Sequence, residues 1–321
     1  MPRIGWHASH EQIPPSRLLE DVRHAEQAGF QVGMSSDHFS PWSERQGESG
    51  FAWSWLGAAL ASTSLPFRVV NAPGQRYHPA IVAQAMATLV EMFPGRLWVC
   101  LGTGEASNEH ITGDRWPPKA ERNARLAECV EVIRALLAGD EVTHHGLVHV
   151  DRARLWTLPA EPPPLVGTAV SAETARWVGG WADGLATIHQ PLDRLERVVA
   201  AFREGGGEGK PMVLQVHVAW AADDDEALRI AHDQWRNNIF DPPVPWDLET
   251  VEHFDQIGSH VRPQDMHGGV RISSDPAQHV QWLQEAAELG FDEINVHHVG
   301  QDQQGFLDVY RETVLPALGA A

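Results

Sequence analysis

Hydrophobic and polar positions along the chain alternate between two periods. Short apolar runs are followed by longer stretches whose apolar residues recur three and four apart, the spacing of one helix face. Arg3–His7 (RIGWH) reads as a first strand. Pro15–Ala28 reads as its helix, with Leu18, Leu19, Val22 and Ala25 on one stripe and Gly29 as the stop. The same rhythm predicts strands at Gln31–Ser35, Phe67–Val70 and Leu97–Leu101, and helices at Trp53–Thr63, Pro79–Phe93 and Lys119–Ala138. Glu141–Thr157 breaks it with a hairpin-like excursion around His145-Gly146. Strands resume near Leu165–Gly167, Leu185–Ile188 and Met212–Ala219, with helices near Ala172–Trp181, Leu192–Arg203 and Glu226–Asn238. Phe240–Met266 is Pro-rich and polar, then irregularly helical, and reads as a second insertion. A helix at Asp275–Leu289, with Asp275 as N-cap and Pro276 in its first turn, a strand at Glu293–Val299 and a helix at Phe306–Leu318 close the series.

Eight strands separated by helices favour a parallel sheet with right-handed crossovers. Eight such units close into an α/β barrel, (β/α)₈; an open doubly wound sheet is the competitor. At 321 residues the chain suits one such barrel, residues 1–321, with insertions at about 141–157 and 240–266. No GxGxxG follows the first strand, so the dinucleotide fingerprint is missing. Gly205–Gly209 (GGGEG) reads as an exposed turn, because no Gly-Lys-Ser/Thr follows it.

Composition narrows the function classes. The 24 Lys and Arg face 43 Asp and Glu, a net charge of −19, which speaks against nucleic-acid or anionic-membrane binding. No run approaches the ~20 apolar residues of a membrane span. Two cysteines, Cys100 and Cys129, provide no disulfide framework. A cytoplasmic protein acting on a small molecule is expected.

In a barrel the active site lies at the C-terminal ends of the strands. Polar groups cluster there: Ser36-Asp37-His38-Phe39-Ser40-Pro41-Trp42 after the second strand, Asn71-Ala72-Pro73-Gly74-Gln75-Arg76 after the third, and Gly102-Thr103-Gly104-Glu105-Ala106-Ser107-Asn108 after the fourth. The last strand ends in His297-His298. His38 can accept a proton near neutral pH, and Glu105 can act as a second acid or base if burial raises its pKa. Equally, Asp37 could cap a turn and His38 lie on the surface. Asp37, His38 and Glu105 as metal ligands would suit a barrel hydrolase, but no His-x-His on the first strand supports that, and no metal is expected. Trp42 shares a short loop with His38 and stands out from the other tryptophans.

These segments resemble the luciferase-like flavin and deazaflavin oxidoreductases, nearly end to end. The carriers are HASHEQ (7–12), SSDHFSPW (35–42), GFAWSW (50–55), RYHPAIVAQAMATL (76–89), PGRLWVCLGTGEASNEHITG (94–113), WADG (181–184) and HHVGQDQQGFLD (297–308). The match is close to the branch of deazaflavin-dependent glucose-6-phosphate dehydrogenases, and to a subgroup of it that uses ordinary flavin. The resemblance implies a barrel holding FMN or coenzyme F420 in its mouth and a hydride transfer between a small alcohol or carbonyl and the ring. An FMN-dependent monooxygenase and a non-catalytic flavin-binding protein are the alternatives. By resemblance, His38 takes the substrate hydroxyl proton, Trp42 stabilises the reacting centre and Glu105 handles the proton on the ring's N1 side. Asp37, Ala72, Thr103, Gly104, Asn108, Val170 and Ser171 fall at coenzyme-contacting positions, and Arg271 and His298 are substrate-side candidates. The resemblance also implies a non-proline cis peptide at or beside Val69-Val70-Asn71, and a homodimer. Three positions depart from the pattern. The paired glycines after the fifth strand fall at Val170-Ser171, the threonine after the third becomes Ala72, and the sugar-phosphate lysine after the sixth falls at about Pro191. Losing that cation removes a charge-assisted contact, so glucose-6-phosphate is not the expected substrate.

Overall fold

Strands buried on both faces read as continuous apolar runs, and LWVCL at 97–101 is one of them. In the computed structural model, which describes residues 1–319, the strands are β1 (Arg3–Ala8), β2 (Val32–Ser36), β3 (Phe67–Asn71), β4 (Leu97–Leu101), β5 (Val142–His145), β6 (His149–Ala153), β7 (Leu165–Thr168), β8 (Gly184–Ile188), β9 (Met212–Ala219), β10 (Arg271–Ile272) and β11 (Glu293–His298). Eight of them pair in parallel in the order β1-β2-β3-β4-β7-β8-β9-β11, and β11 returns to β1. The result is a closed (β/α)₈ barrel, as the alternation predicts. Of the expected 1–321 unit, residues 320–321 lie outside the described residues.

Helices cover the barrel through the apolar stripes that announced them. The first, Pro15–Ala28, ends where Gly29 takes a left-handed φ of 100° and its amide donates to Glu26 O. Asp275 caps Pro276–Glu288, its Oδ1 accepting from Ala277 N at 2.9 Å. Inside the barrel, Met34, Cys100, Val166, Ala186 and Val213 form an apolar middle layer. Below it Arg68 donates two hydrogen bonds to Glu293, at 2.8 and 2.6 Å, and lies 3.8 Å from the centre of the Trp98 ring. The floor is therefore a buried ion pair, with Arg3 reaching Glu293 as a second cation.

Segment 141–157 contains the antiparallel β5–β6 hairpin, and 240–266 contains short helices at Val244–Asp247 and Val251–Gly258. Two sequence expectations are corrected. The glycines of 205–209 lie between helix Leu192–Phe202 and β9 as expected, and Gly206 breaks the helical run with a left-handed φ of 104°, but they are not a free turn. An added Cβ on Gly205 would sit 2.0 Å from Arg176 O, so the glycine is there for backbone-to-backbone packing on helix Ala172–Gly179. Nor is the end of β3 cis. Val69, Val70 and Asn71 keep the parallel register to Val99, Cys100 and Leu101, and the cis bond among the described residues is Pro242-Pro243. No helix among the described residues is long and apolar enough to cross a membrane.

Candidate active site

β2 delivers Asp37 and His38 to the mouth. The Asp37 amide still donates to Val70 O at 3.0 Å, so the strand's hydrogen bonding runs one residue into the loop. Asp37 Oδ2 accepts from Asn71 Nδ2 at 2.9 Å, and Arg76 Nη2 donates to the Asp37 carbonyl at 2.7 Å. Arg76 is fixed in turn by its backbone amide, which donates to Glu109 Oε2 at 2.6 Å. These bonds join the loops after β2, β3 and β4 into one frame.

Within the frame His38 is clamped from behind. Its Nδ1 is hydrogen-bonded to Glu11 Oε1, and Ser9 Oγ donates to Glu11 Oε2 at 2.9 Å. Burial alone would raise the Glu11 carboxyl. The charge and hydrogen bond of His38 outweigh it and hold Glu11 down at about 2. Burial alone would lower His38, but Glu11 and then Glu105 raise its pKa above the ordinary histidine value. The other ring nitrogen, Nε2, lies 3.9 Å from Glu105 Oε2. Burial pushes Glu105 above the usual carboxylate range, against the charge of His38. Trp42 meets the imidazole edge-on at 4.5 Å between ring centres, and Trp235 backs Trp42 at 5.3 Å. Asn108 links the two acid–base loops: Oδ1 accepts from Phe39 N at 2.7 Å, and Nδ2 donates to Glu105 Oε2 at 3.4 Å.

Asp37, His38, Trp42, Glu105 and Asn108 are thus brought together. Ala72 and Thr103 share an adjoining cleft. Gly104 turns the chain with φ +81°, and a Cβ there would come 3.0 Å from Glu109 Cγ. Val170 and Ser171 open helix 172–179, where Ser171 Oγ accepts from Thr174 N at 3.3 Å. Arg271 lies on the short β10 and donates Nε–H to His189 Nε2 at 3.1 Å. His298 does not reach the mouth. Side chains alternate along β11, so His298 faces the helices and stacks on Phe306 at 4.7 Å, while its neighbour His297 faces inward. His297 lies 4.6 Å from His7, 5.3 Å from His217 and 4.8 Å from Trp235, ring centre to ring centre. Burial holds His7 and His217 down at about 3 and His297 well below its ordinary value, so this cluster is neutral.

Sequence reading singles out His298 where the structure favours its neighbour His297, and it does not reach Glu11 or Trp235. Glu11 was visible inside HASHEQ, but nothing in its spacing tied it to His38. Among the described residues no group of three or more His, Cys, Asp or Glu could hold a metal ion. The mouth instead presents unpaired hydrogen-bonding atoms to a polar ligand. Asp37 Oδ1, Asn71 Oδ1 and Ser107 Oγ are buried at the strand ends without a protein partner. Each unmade bond costs about 1–3 kcal/mol, so the mouth is built to hydrogen-bond something polar.

Comparison with known proteins agrees with this geometry. Residues 1–301 match the family model described as luciferase-like monooxygenase. The chain is 33% identical to an F420-dependent glucose-6-phosphate dehydrogenase of Nakamurella multipartita, covering 99% of this chain and 97% of that one. It is 32% identical to an F420-dependent hydroxymycolic acid dehydrogenase of Mycobacterium tuberculosis, covering 98% and 88%. The solved structure of an F420-dependent secondary alcohol dehydrogenase with an F420-acetone adduct superimposes with a TM-score of 0.92 at 28% identity, covering 99% of both chains.

Proposed function

Since the chain belongs to the luciferase-like monooxygenase family, we propose that it is an oxidoreductase that uses coenzyme F420 or FMN to exchange a hydride with a small, uncharged alcohol or carbonyl compound. The observation that carries this reading is the clamped imidazole. Glu11 occupies Nδ1 of His38, so Nε2 is the nitrogen left for a substrate, and Glu105 stands 3.9 Å away across the mouth. When bound, the coenzyme ring supplies the hydride acceptor or donor. For alcohol oxidation, Nε2 of neutral His38 accepts the hydroxyl proton, and Glu11 stabilises the imidazolium that forms. Trp42 and Trp235 exclude water from the reacting carbon. Glu105, held toward its protonated form by burial, keeps a proton available beside the ring. Asp37, Ala72, Thr103, Gly104, Asn108, Val170 and Ser171 are assigned to the coenzyme.

An uncharged substrate is supported by the neutral His217 and His297 packed on the Trp235 indole, and by Pro191 falling at about the position of the sugar-phosphate lysine in the branch this sequence resembles. Changing His38 to Ala tests the reading: turnover of an alcohol panel should fall at least ~10²-fold, while coenzyme binding followed by ring fluorescence stays nearly intact. Unchanged turnover refutes it. The absorption spectrum of the coenzyme released from purified protein separates F420 from FMN.

We further propose a cytoplasmic homodimer built from one barrel unit per chain. An apolar groove of about 330 Å³ between helices Ala52–Ser62 and Pro79–Met92 is flanked by Phe51 and Ile81, 52% and 56% exposed. An Ile81→Glu variant should sediment as a monomer where the parent sediments as a dimer.

A further inference from the structure

The two sides of the barrel interior differ in polarity. Toward β2, β4, β7 and β8 it is filled by Met34, Cys100, Val166 and Ala186. The positions assigned to the coenzyme follow β2, β3, β4 and β7, on that side. Toward β1, β11 and β9 the inward positions are His7, Asn295 and His297, and Gln215 and His217; the parallel register sets Asn295 beside Gln215 and His297 beside His217. Gly5 makes room on β1, because a Cβ there would collide with Asn295 Oδ1. Asn295 Oδ1 and Nδ2, His7 Nδ1 and His297 Nδ1 are buried without a partner. Bulky branched residues ordinarily fill a barrel of this kind, and each unmet bond costs about 1–3 kcal/mol. A polar wall here therefore costs stability that an apolar one would not.

The wall opens at its upper edge. Gln215 and His217 are 8% and 9% exposed, and Ile188, in register with Gln215, is 36% exposed. Gln215 Nε2 donates to His217 Nε2 at 3.1 Å, so His217 carries its proton on Nδ1. The two side chains thus offer a ligand one donor, His217 Nδ1–H, and one acceptor, Gln215 Oε1. A hydroxyl group uses both, whereas a carbonyl or an ether uses the donor alone and a carboxylate would be opposed by the acceptor. Trp235 joins this pair to the reacting centre: its ring packs on His217 at 4.9 Å and on Trp42 at 5.3 Å, and Trp42 packs on His38 at 4.5 Å.

We propose that Gln215 and His217 bind a second hydroxyl group of the substrate, so that the enzyme acts on uncharged diols or polyols in preference to simple alcohols. The inference rests on the hydride-transfer reading above. The second hydroxyl is held and stays unreacted, while the first is the one that faces His38. Because the coenzyme positions gather on the other side of the mouth, the ends of β9 and β11 are left to the substrate.

The test is steady-state oxidation of cyclohexanol and the three positional cyclohexanediols by the coenzyme-loaded protein. These compounds share a ring and differ in the presence and place of a second hydroxyl. In the parent, at least one diol should exceed cyclohexanol in kcat/KM by about tenfold, equivalent to about 1.4 kcal/mol, with most of the gain in KM. In His217→Leu and in Gln215→Leu that ratio should collapse to within about twofold of one. His217→Asn, whose amide can stand in for Nδ1–H, should recover part of the diol preference, which a merely structural role would not predict. A parent that turns over cyclohexanol as well as every diol, or a preference that survives both leucine substitutions, overturns the second-hydroxyl site while leaving hydride transfer in place. A parent that oxidises none of the four compounds overturns both.

Discussion

Glu11 and His38 are 27 residues apart and share one hydrogen bond that decides which face of the imidazole can react. Because Glu11 takes Nδ1, the tautomer and ring orientation are set before any ligand arrives. The pair also moves the two groups in opposite directions: Glu11 down, His38 up.

Glu11→Gln should therefore do more than lower the rate. A neutral amide can still occupy Nδ1 but cannot stabilise the imidazolium, so kcat for alcohol oxidation should drop by about 10²-fold, within the range of general-base contributions. The rising, acidic limb of the pH–rate profile should also move to lower pH. In the parent enzyme, oxidation needs neutral His38 and should rise with pH through a pKa above 6.5, whereas carbonyl reduction needs protonated His38 and should fall over the same window. Identical pH profiles in the two directions would contradict the assignment.

Acid should unfold this protein early. His7, His10, His217 and His298 are buried, with pKa values of about 3, 4, 3 and 3 because burial penalises their charged forms. Below the unfolded value of 6.5 the unfolded chain binds protons that the folded chain refuses, so stability declines as pH falls from about 6.5 toward 3–4. Each unit of difference is about 1.4 kcal/mol per group. His38 has the opposite sign: its contribution is complete below 6.5 and is lost as pH rises through its elevated folded value. Glu11 adds stability that is complete above about 4.5 and is lost as pH falls toward 2. Calorimetric Tm should drop steeply between pH 6.5 and 4.5; a flat Tm across that interval would be incompatible with neutral buried histidines.

At the opposite end of the barrel, Glu293→Gln should damage stability and spare chemistry. Arg68 would keep its burial but lose its carboxylate, and breaking a buried pair in this way costs about 3–5 kcal/mol. Denaturant melts should show that loss, with KM within about twofold of the parent, because sites in this fold sit at the other face.

The alternation along β11 makes a paired prediction. His298→Leu keeps an apolar partner for Phe306 and should leave kcat/KM within about twofold. His297→Leu removes the bond between Nε2 and Gln12 Oε1, 3.0 Å long, and unpacks Trp235 behind Trp42. Its KM for substrate should rise several-fold at unchanged coenzyme affinity. If His298→Leu were the damaging variant, the placement of the two rings would be wrong.

Sequence by itself determined the barrel and the location of its mouth. Apolar period reports local burial, and eight repeats of strand and helix leave few ways to close a sheet. The loops carrying His38, Trp42 and Glu105 follow strand ends, so their convergence was legible too. Tertiary structure alone decided what faces what. The contact of Glu11 with His38 depends on how the loops after β1 and β2 lie together, and no local spacing encodes it. Adjacent His297 and His298 look the same in sequence, yet a period of two sends one inward and the other out, so a single residue of register assigns their roles. β10, two residues long, has no period to detect. Pattern records whether a residue is buried, whereas partnership across the chain depends on packing.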